Sequence, residues 1–294
     1  MIAKSAPSVF QNADTGFSER AKIVNFVAAC RRPATNPPEH RTIGVESTAQ
    51  LYLDLMKKVL ANTIYEDPPI PASWAPAVEY DELNRRLGVD WPSVAHTMIG
   101  IRRLENVEHC VRTVLEDGVP GDLIETGVWR GGTCIFMRAI LKAHGVRDRQ
   151  VWVADSFQGM PSADSSTHPG DRELASDRYN DLIATDLPTV RGNFERYGLL
   201  DEQVRFLPGW FRDTLPTAPI DRLAVLRLDS DLYESTMDTL VHLYPKLSPG
   251  GFVIIDDYHI PVCAEAVHDW RARFGVDDPI EDIDGLGAFW RRSG

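Results

Sequence analysis

Leu223-Ala-Val-Leu-Arg-Leu228 runs directly into Asp229, and Gly251-Phe-Val-Ile-Ile255 runs directly into Asp256-Asp257. Apolar runs of this length read as strands covered on both faces, as in a parallel sheet sandwiched by helices. In open α/β sheets, ligands bind outside the carboxyl ends of the strands. Two strand ends that carry aspartate would therefore direct three carboxylates at one crevice. Like charges that close are unfavourable unless something positive sits between them. A hard divalent cation with oxygen ligands, Mg²⁺ or Ca²⁺, is the simplest candidate.

The same pattern extends on both sides. Further strands are expected at 123–126, 151–154 and 204–207, beside those at 223–228 and 252–255. Helix-period segments at about 132–144, 187–197, 232–244 and 262–274 fall between or after them. The alternation predicts βαβ units and an α/β fold, mostly parallel, with helices on both faces of the sheet. Residues 286–291 read as a last, antiparallel strand. Upstream, a helix is expected from Ser47, with Leu51, Leu55 and Val59 in one row and Tyr52, Met56 and Leu60 beside it. Asp67-Pro-Pro-Ile-Pro71 breaks the chain. A second helix is expected over 97–117, stopped by Gly118 and Pro120. The chain thus divides into an extension over 1–46, with a short helix near 19–30, a helical cap over 47–120, and the α/β domain over 121–294. Residues 162–186 interrupt the alternation with little apolar periodicity; a loop this long points to a mobile lid over the crevice, with plain disorder the competing reading.

With 294 residues the chain can bury a full core, and 43% hydrophobic with 25% charged residues is ordinary for a globular protein. A formal charge of −12 argues against nucleic acid as a partner, because that needs a basic face. Cys30, Cys110, Cys134 and Cys263 show no zinc spacing and read as reduced thiols of a cytoplasmic protein. No apolar stretch is long enough for a membrane span, and no signal-peptide core precedes the fold.

A cofactor pocket is legible after the first strand, in Glu125-Thr-Gly127-Val-Trp-Arg-Gly131-Gly132. Gly127 permits a sharp turn, while Gly131 and Gly132 let backbone approach a ligand at a helix N-terminus. The next strand ends at Asp155, placed to accept hydrogen bonds from ribose hydroxyls. The glycine spacing is not the dinucleotide fingerprint, and Trp129 would crowd a pyrophosphate. Glu125 is a poor neighbour for phosphate and suits a cationic ligand, such as the amino group of S-adenosylmethionine.

Several stretches in order resemble the macrocin O-methyltransferase family, the metal-dependent methyltransferases of macrolide sugars and the novobiocin sugar. They are Leu51-Tyr-Leu-Asp-Leu-Met, Asn62-Thr-Ile-Tyr-Glu-Asp-Pro-Pro69, Thr97-Met-Ile-Gly100, Asp122 to Gly132, Ala154-Asp-Ser-Phe-Gln-Gly-Met-Pro161, Leu228-Asp-Ser-Asp-Leu-Tyr-Glu-Ser-Thr236 and Ile254-Ile-Asp-Asp-Tyr258. The resemblance covers roughly residue 48 to the C-terminus. Ser230 departs from it, standing where the family pattern has glycine. The resemblance implies a Rossmann-like class I methyltransferase sheet. It implies that Glu125, Gly127 and Asp155, with Thr126 and Gly131 of the same turn, hold S-adenosylmethionine. Met98 and Ile99 would touch it from the preceding helix, Ser156 and Phe157 would flank the ribose and adenine, and Gly209-Trp210-Phe211 would close around the adenine. Core packing is the competing reading for Met98, Trp210 and Phe211.

Aspartate also caps helices. Asp231-Leu-Tyr-Glu234 fits a capping box, which would spend Asp231 on the helix that follows. Asp229 lies too early for that cap. Pro261 suits the first helical position, placing the next cap at Ile260, beyond Asp256 and Asp257. Asp229, Asp256 and Asp257 are left over as ligands for Mg²⁺, and the resemblance assigns metal to the same three. A metal would activate a sugar hydroxyl as Lewis acid and template. Asp229 would take the proton, with His259 its rival; His96, His168 and Tyr258 are weaker candidates for the acceptor pocket. The expected activity is S-adenosylmethionine- and Mg²⁺-dependent O-methylation of a sugar hydroxyl on a glycoside or polyol of small-molecule size, by a homo-oligomer. A catechol-type O-methyltransferase, an NAD-dependent oxidoreductase and a non-catalytic binding module are the alternatives.

Overall fold

The computed structural model describes residues 47–72, 79–174 and 176–294. The helix expected near 19–30 lies outside them. Five parallel strands form the middle of a sheet: β1 (Asp122–Thr126), β2 (Val151–Asp155), β3 (Val204–Pro208), β4 (Leu223–Leu228) and β5 (Leu247–Ile255). Two short strands, β6 (Glu281–Asp282) and β7 (Ala288–Arg291), complete it antiparallel, in the order β3-β2-β1-β4-β5-β7-β6. The antiparallel last strand is therefore present, and β6 is an addition whose two exposed acidic residues carry no strand signal. The order reverses between β1 and β4, so the topological switch point lies there.

Strand periodicity of two sorts the side chains cleanly. Leu123, Val225 and Phe252 enter one core together with α1 (Thr48–Leu60), α3 (Gly100–Glu116), α4 (Gly132–Ala143) and α7 (Leu187–Arg196). Ile124, Leu226 and Val253 enter the other, against α9 (Tyr233–Leu243) and α10 (Pro261–Phe274). Helices thus cover both faces, as the unbroken apolar runs require. The helical region over 47–120 lies directly on the first of these cores. Lys57 of α1 reaches Glu108 of α3 at 2.8 Å in a buried pair. Arg85 of α2 (Glu82–Leu87) is buried between Asp67 and Asp90, at 2.7 and 2.9 Å.

Two expectations change. In α1 the buried row is Leu53, Met56 and Leu60, while Leu51 and Leu55 are exposed. Residues 162–186 hold short helices, α5 (Pro169–Leu174) and α6 (Asn180–Ile183). The Asp171 carboxylate in α5 is buried and accepts the backbone N–H groups of Tyr233 and Glu234, at 2.7 and 3.1 Å. Glu234 in turn accepts the His168 N–H at 2.8 Å, and the His168 ring stacks on Tyr233 at 3.9 Å. So α9 is capped by a residue some sixty positions upstream. Its own N-cap, Leu232, offers no side chain, and α8 (Phe211–Thr214) precedes it without contributing a cap. The local capping box predicted at Asp231 does not form.

Replacing Asp171 with alanine removes two charge-assisted cap bonds. Stability should fall by about 1 kcal/mol, as for loss of an N-cap, in urea unfolding. Protease should cut within 162–186 faster than in the wild type.

Candidate active site

The carboxyl ends of β1, β2, β4 and β5 converge at the switch point. Asp229, Asp256 and Asp257 each present an oxygen within 4.8 Å of the others, the one such group of His, Cys, Asp or Glu among the described residues. Asp256 and Asp257 are buried and Asp229 is partly open. Ile260 is the N-cap residue of α10, which begins at Pro261, so neither Asp256 nor Asp257 is a cap.

Parity explains what surrounds them. Glu125 of β1 pairs in register with Arg227 of β4, and Arg227 with Ile254 of β5, so Glu125, Arg227 and Asp256 share one face of the sheet. Arg227 is fully buried. Its Nη1 donates to Glu125 Oε1 and, at 2.8 Å, to Asp229 Oδ2; its Nη2 donates to Asp256 Oδ1. Arg103 of α3 donates to the other Asp256 oxygen and lies 3.2 Å from Asp284. The positive group that three crowded carboxylates require is thus partly built into the chain. Sequence reading passed over Arg227, although one arginine inside an otherwise apolar six-residue strand is its signal. Arg103 and Asp284, distant in sequence, carried none.

Charge is still not balanced. Among the described residues, the six clustered carboxylates Glu125, Asp229, Asp231, Asp256, Asp257 and Asp284 have two arginines in their midst, Arg103 and Arg227. Burial, then repulsion from Asp256, pushes the Asp229 carboxyl well above the usual range despite Arg227. Burial and Asp231 do the same to Asp257. Asp231, expected to be a cap, belongs to this cluster instead. It sits in the left-handed region at φ 56° and its N–H donates to Asp257 Oδ2 at 3.1 Å. Burial, Asp229 and Asp256 push its carboxyl up to about 7. An excess of hard oxygen donors suits a divalent cation.

The glycine-turn half is equally constrained. Asp155 accepts Val128 N–H and Phe157 N–H, both at 2.7 Å, leaving further lone pairs on its two oxygens. Gly127 has φ +86°, and a Cβ there would overlap the Asp229 carbonyl oxygen. Gly131 is needed because Val190 and Phe194 pack on it, and Gly132 because residue 96 crosses it. Packing against α7 and against the backbone of residue 96 thus already demands glycine at both positions. Three non-glycine residues with positive φ, Trp129, Phe157 and Asp231, stand just after β1, β2 and β4. Strain of this kind concentrates at functional sites.

The remaining candidates divide by what their side chains do. Glu125 is sealed, with Cys134 donating to its second oxygen at 3.0 Å. Thr126 Oγ1 is turned into the fold towards Thr239, and Ile99 is in the core. Met98, Trp210 and Phe211 are half-buried, Phe211 against the second core. Ser156 Oγ donates to Gly159 O at 2.8 Å, and Gly209 N–H donates to Asp155 O at 2.9 Å. His259 is exposed, its N–H donating to Leu286 O. Tyr258 meets His268 at 2.9 Å, and His96 meets the Tyr197 hydroxyl at 2.7 Å. Among the described residues no helix is long and apolar enough to cross a membrane, and Cys110, Cys134 and Cys263 are buried free thiols.

Residues 49–292 match the family model described as Macrocin-O-methyltransferase (TylF). The chain is 63% identical over 248 residues to 8-demethyl-8-(2,3-dimethoxy-alpha-L-rhamnosyl)-tetracenomycin-C 4'-O-methyltransferase of Streptomyces olivaceus, covering 84% of this chain and 95% of that one. It is 59% identical to mycinamicin III 3''-O-methyltransferase of Micromonospora griseorubida, over 83% and 97% of the two. The solved structure of the O-methyltransferase NovP superposes with a TM-score of 0.80 at 59% identity, covering 84% of this chain and all of that one.

Burial, then the positive Arg130 and Arg196, lowers His96 to about 4, against about 6.5 in an unfolded chain. The unfolded state therefore takes up the proton first. The contribution of His96 is fully present above pH 6.5 and is lost as pH falls from there towards 4. Denaturant titrations across this range should show a shallower decline for His96→Phe than for the wild type.

Proposed function

We propose, since this chain belongs to the macrocin O-methyltransferase family, that it transfers the methyl group of S-adenosylmethionine to a sugar hydroxyl of a glycosylated natural product with the help of Mg²⁺. The observation that carries the metal half of this reading is the convergence of Asp229, Asp256 and Asp257. The relatives named for methylation of rhamnosyl and mycinamicin glycosides support the acceptor class.

The residues fit both groups. Asp155 ends β2 beside the strained turns of Trp129 and Phe157 and keeps lone pairs for ribose hydroxyls. Glu125 contributes negative potential under the glycine turn, suited to an ammonium group. Met98, Trp210 and Phe211 supply half-buried apolar surface for an adenine. S-adenosylmethionine supplies a methyl group on a sulfonium, open to in-line displacement. Asp229, Asp256 and Asp257 would hold the ion, which supplies Lewis acidity and alignment for a vicinal diol. The chain's own contribution is then positioning and proton removal. Asp229 shares its charge with Arg227 through a 2.8 Å bond, whereas Asp231 has no ion pair with an arginine among the described residues and its N–H reaches Asp257. Asp231 thereby joins Asp229 as a proton acceptor. It suits the task better than His259, whose ring is exposed. Asp231 is available for this because it is not spent as the cap of α9.

Turnover with S-adenosylmethionine and a rhamnosylated acceptor should stop in chelator and return with Mg²⁺. Asn at 229, 256 or 257 should each lower kcat about a hundredfold or more. Asp231→Asn should lower kcat about a hundredfold while leaving Mg²⁺ affinity within a few-fold, and His259→Gln should retain most activity. Full turnover in chelator would sink the metal reading. Methylation of catechols in preference to any glycoside would replace the acceptor class.

A further inference from the structure

Among the described residues, Arg227 is the one cation that touches both halves of the site. Its guanidinium is buried, bonded to Glu125 on the glycine-turn side and to Asp229 and Asp256 on the other, with Nε left without a partner. Asp256 does not depend on it alone, because Arg103 holds the second oxygen. Asp229 does: Arg227 is its only ion-pair partner among the described residues. The atom bonded, Asp229 Oδ2, belongs to a carboxylate that would ligate the ion. A divalent cation approaching Asp229 and Asp257 meets a like charge one carboxylate away. Repulsion at that separation in a buried site is strong.

We propose that Arg227 is a resident counter-ion of the site and competes with the divalent cation for Asp229, in place of serving as a scaffold that holds the ligand carboxylates ready. This rests on the reading of Asp229, Asp256 and Asp257 as a metal site. The chain keeps its crowded carboxylates compatible with folding by means of Arg227. The ion then takes over the charge of Asp229, and Arg227 is left to Glu125 and Asp256. Metal affinity is set by this exchange and lies below what the three carboxylates alone would give.

The test compares Mg²⁺ affinity by calorimetry in the wild type and two variants. Arg227→Met removes the competitor but leaves Glu125 buried without its partner. The double variant Arg227→Met, Glu125→Gln removes both members of that pair. It keeps the net charge of the cluster unchanged and leaves no orphaned carboxylate at position 125, while Asp229 is released for the ion in both variants. Competition predicts that the double variant binds Mg²⁺ at least about tenfold more tightly than the wild type. It also predicts a larger rise in melting temperature from chelator to saturating Mg²⁺, by mass action. A scaffold role predicts the opposite sign, weaker Mg²⁺ binding in both variants, and that result, or an unchanged affinity, overturns the proposal. If the single variant does not fold, the double variant decides. Absence of any Mg²⁺ binding by the folded wild type would instead refute the metal site itself, and the counter-ion proposal with it.

Discussion

A guanidinium buried in the middle strand of a parallel sheet is the constraint around which this site is organised. Burial of a charge is tolerated only with partners, and Arg227 obtains three of them because strands β1, β4 and β5 lie side by side in register. Glu125, Asp229 and Asp256 cannot move independently while they share it. Arg103 extends the network to α3 and to Asp284 in the turn before β7. The helical region and the C-terminal hairpin are thus tied to the same charges as the crevice.

The crevice itself is a product of topology. Between β1 and β4 the chain order reverses. The loops after β1, β2 and β4 each carry one residue in strained, left-handed backbone. The loop after β4 lies against Gly127 closely enough to forbid any side chain there. The glycine turn and the acidic loop are therefore in direct contact. A change in one reaches the other through backbone, as well as through Arg227.

Segment 162–186 has a second attachment to this machinery. Asp171 supplies the cap of α9 and His168 stacks on Tyr233. Helix α9 begins two residues after Asp231. Movement of the segment would release two N–H groups at the start of that helix, next to the acidic loop.

The sequence by itself determined the layers, six of the seven strands and the three aspartates. Each rests on a local signal: unbroken apolar runs such as 223–228, their spacing by helix-period segments, and carboxylates that no helix could use as caps. It also determined the family, because several motifs recur in one order. Tertiary structure alone decided how the charges are shared. Arg227 meets Glu125 across 102 positions and Arg103 meets Asp256 across 153, separations over which no local pattern operates. The cap of α9 shows the same limit. A capping box at Asp231 was locally sound, yet Asp171, 62 residues before Tyr233, fills the position. Asp231 is thereby free to turn towards Asp257. Sequence proximity governs propensity, but a hydrogen bond or an ion pair answers only to distance in the folded chain.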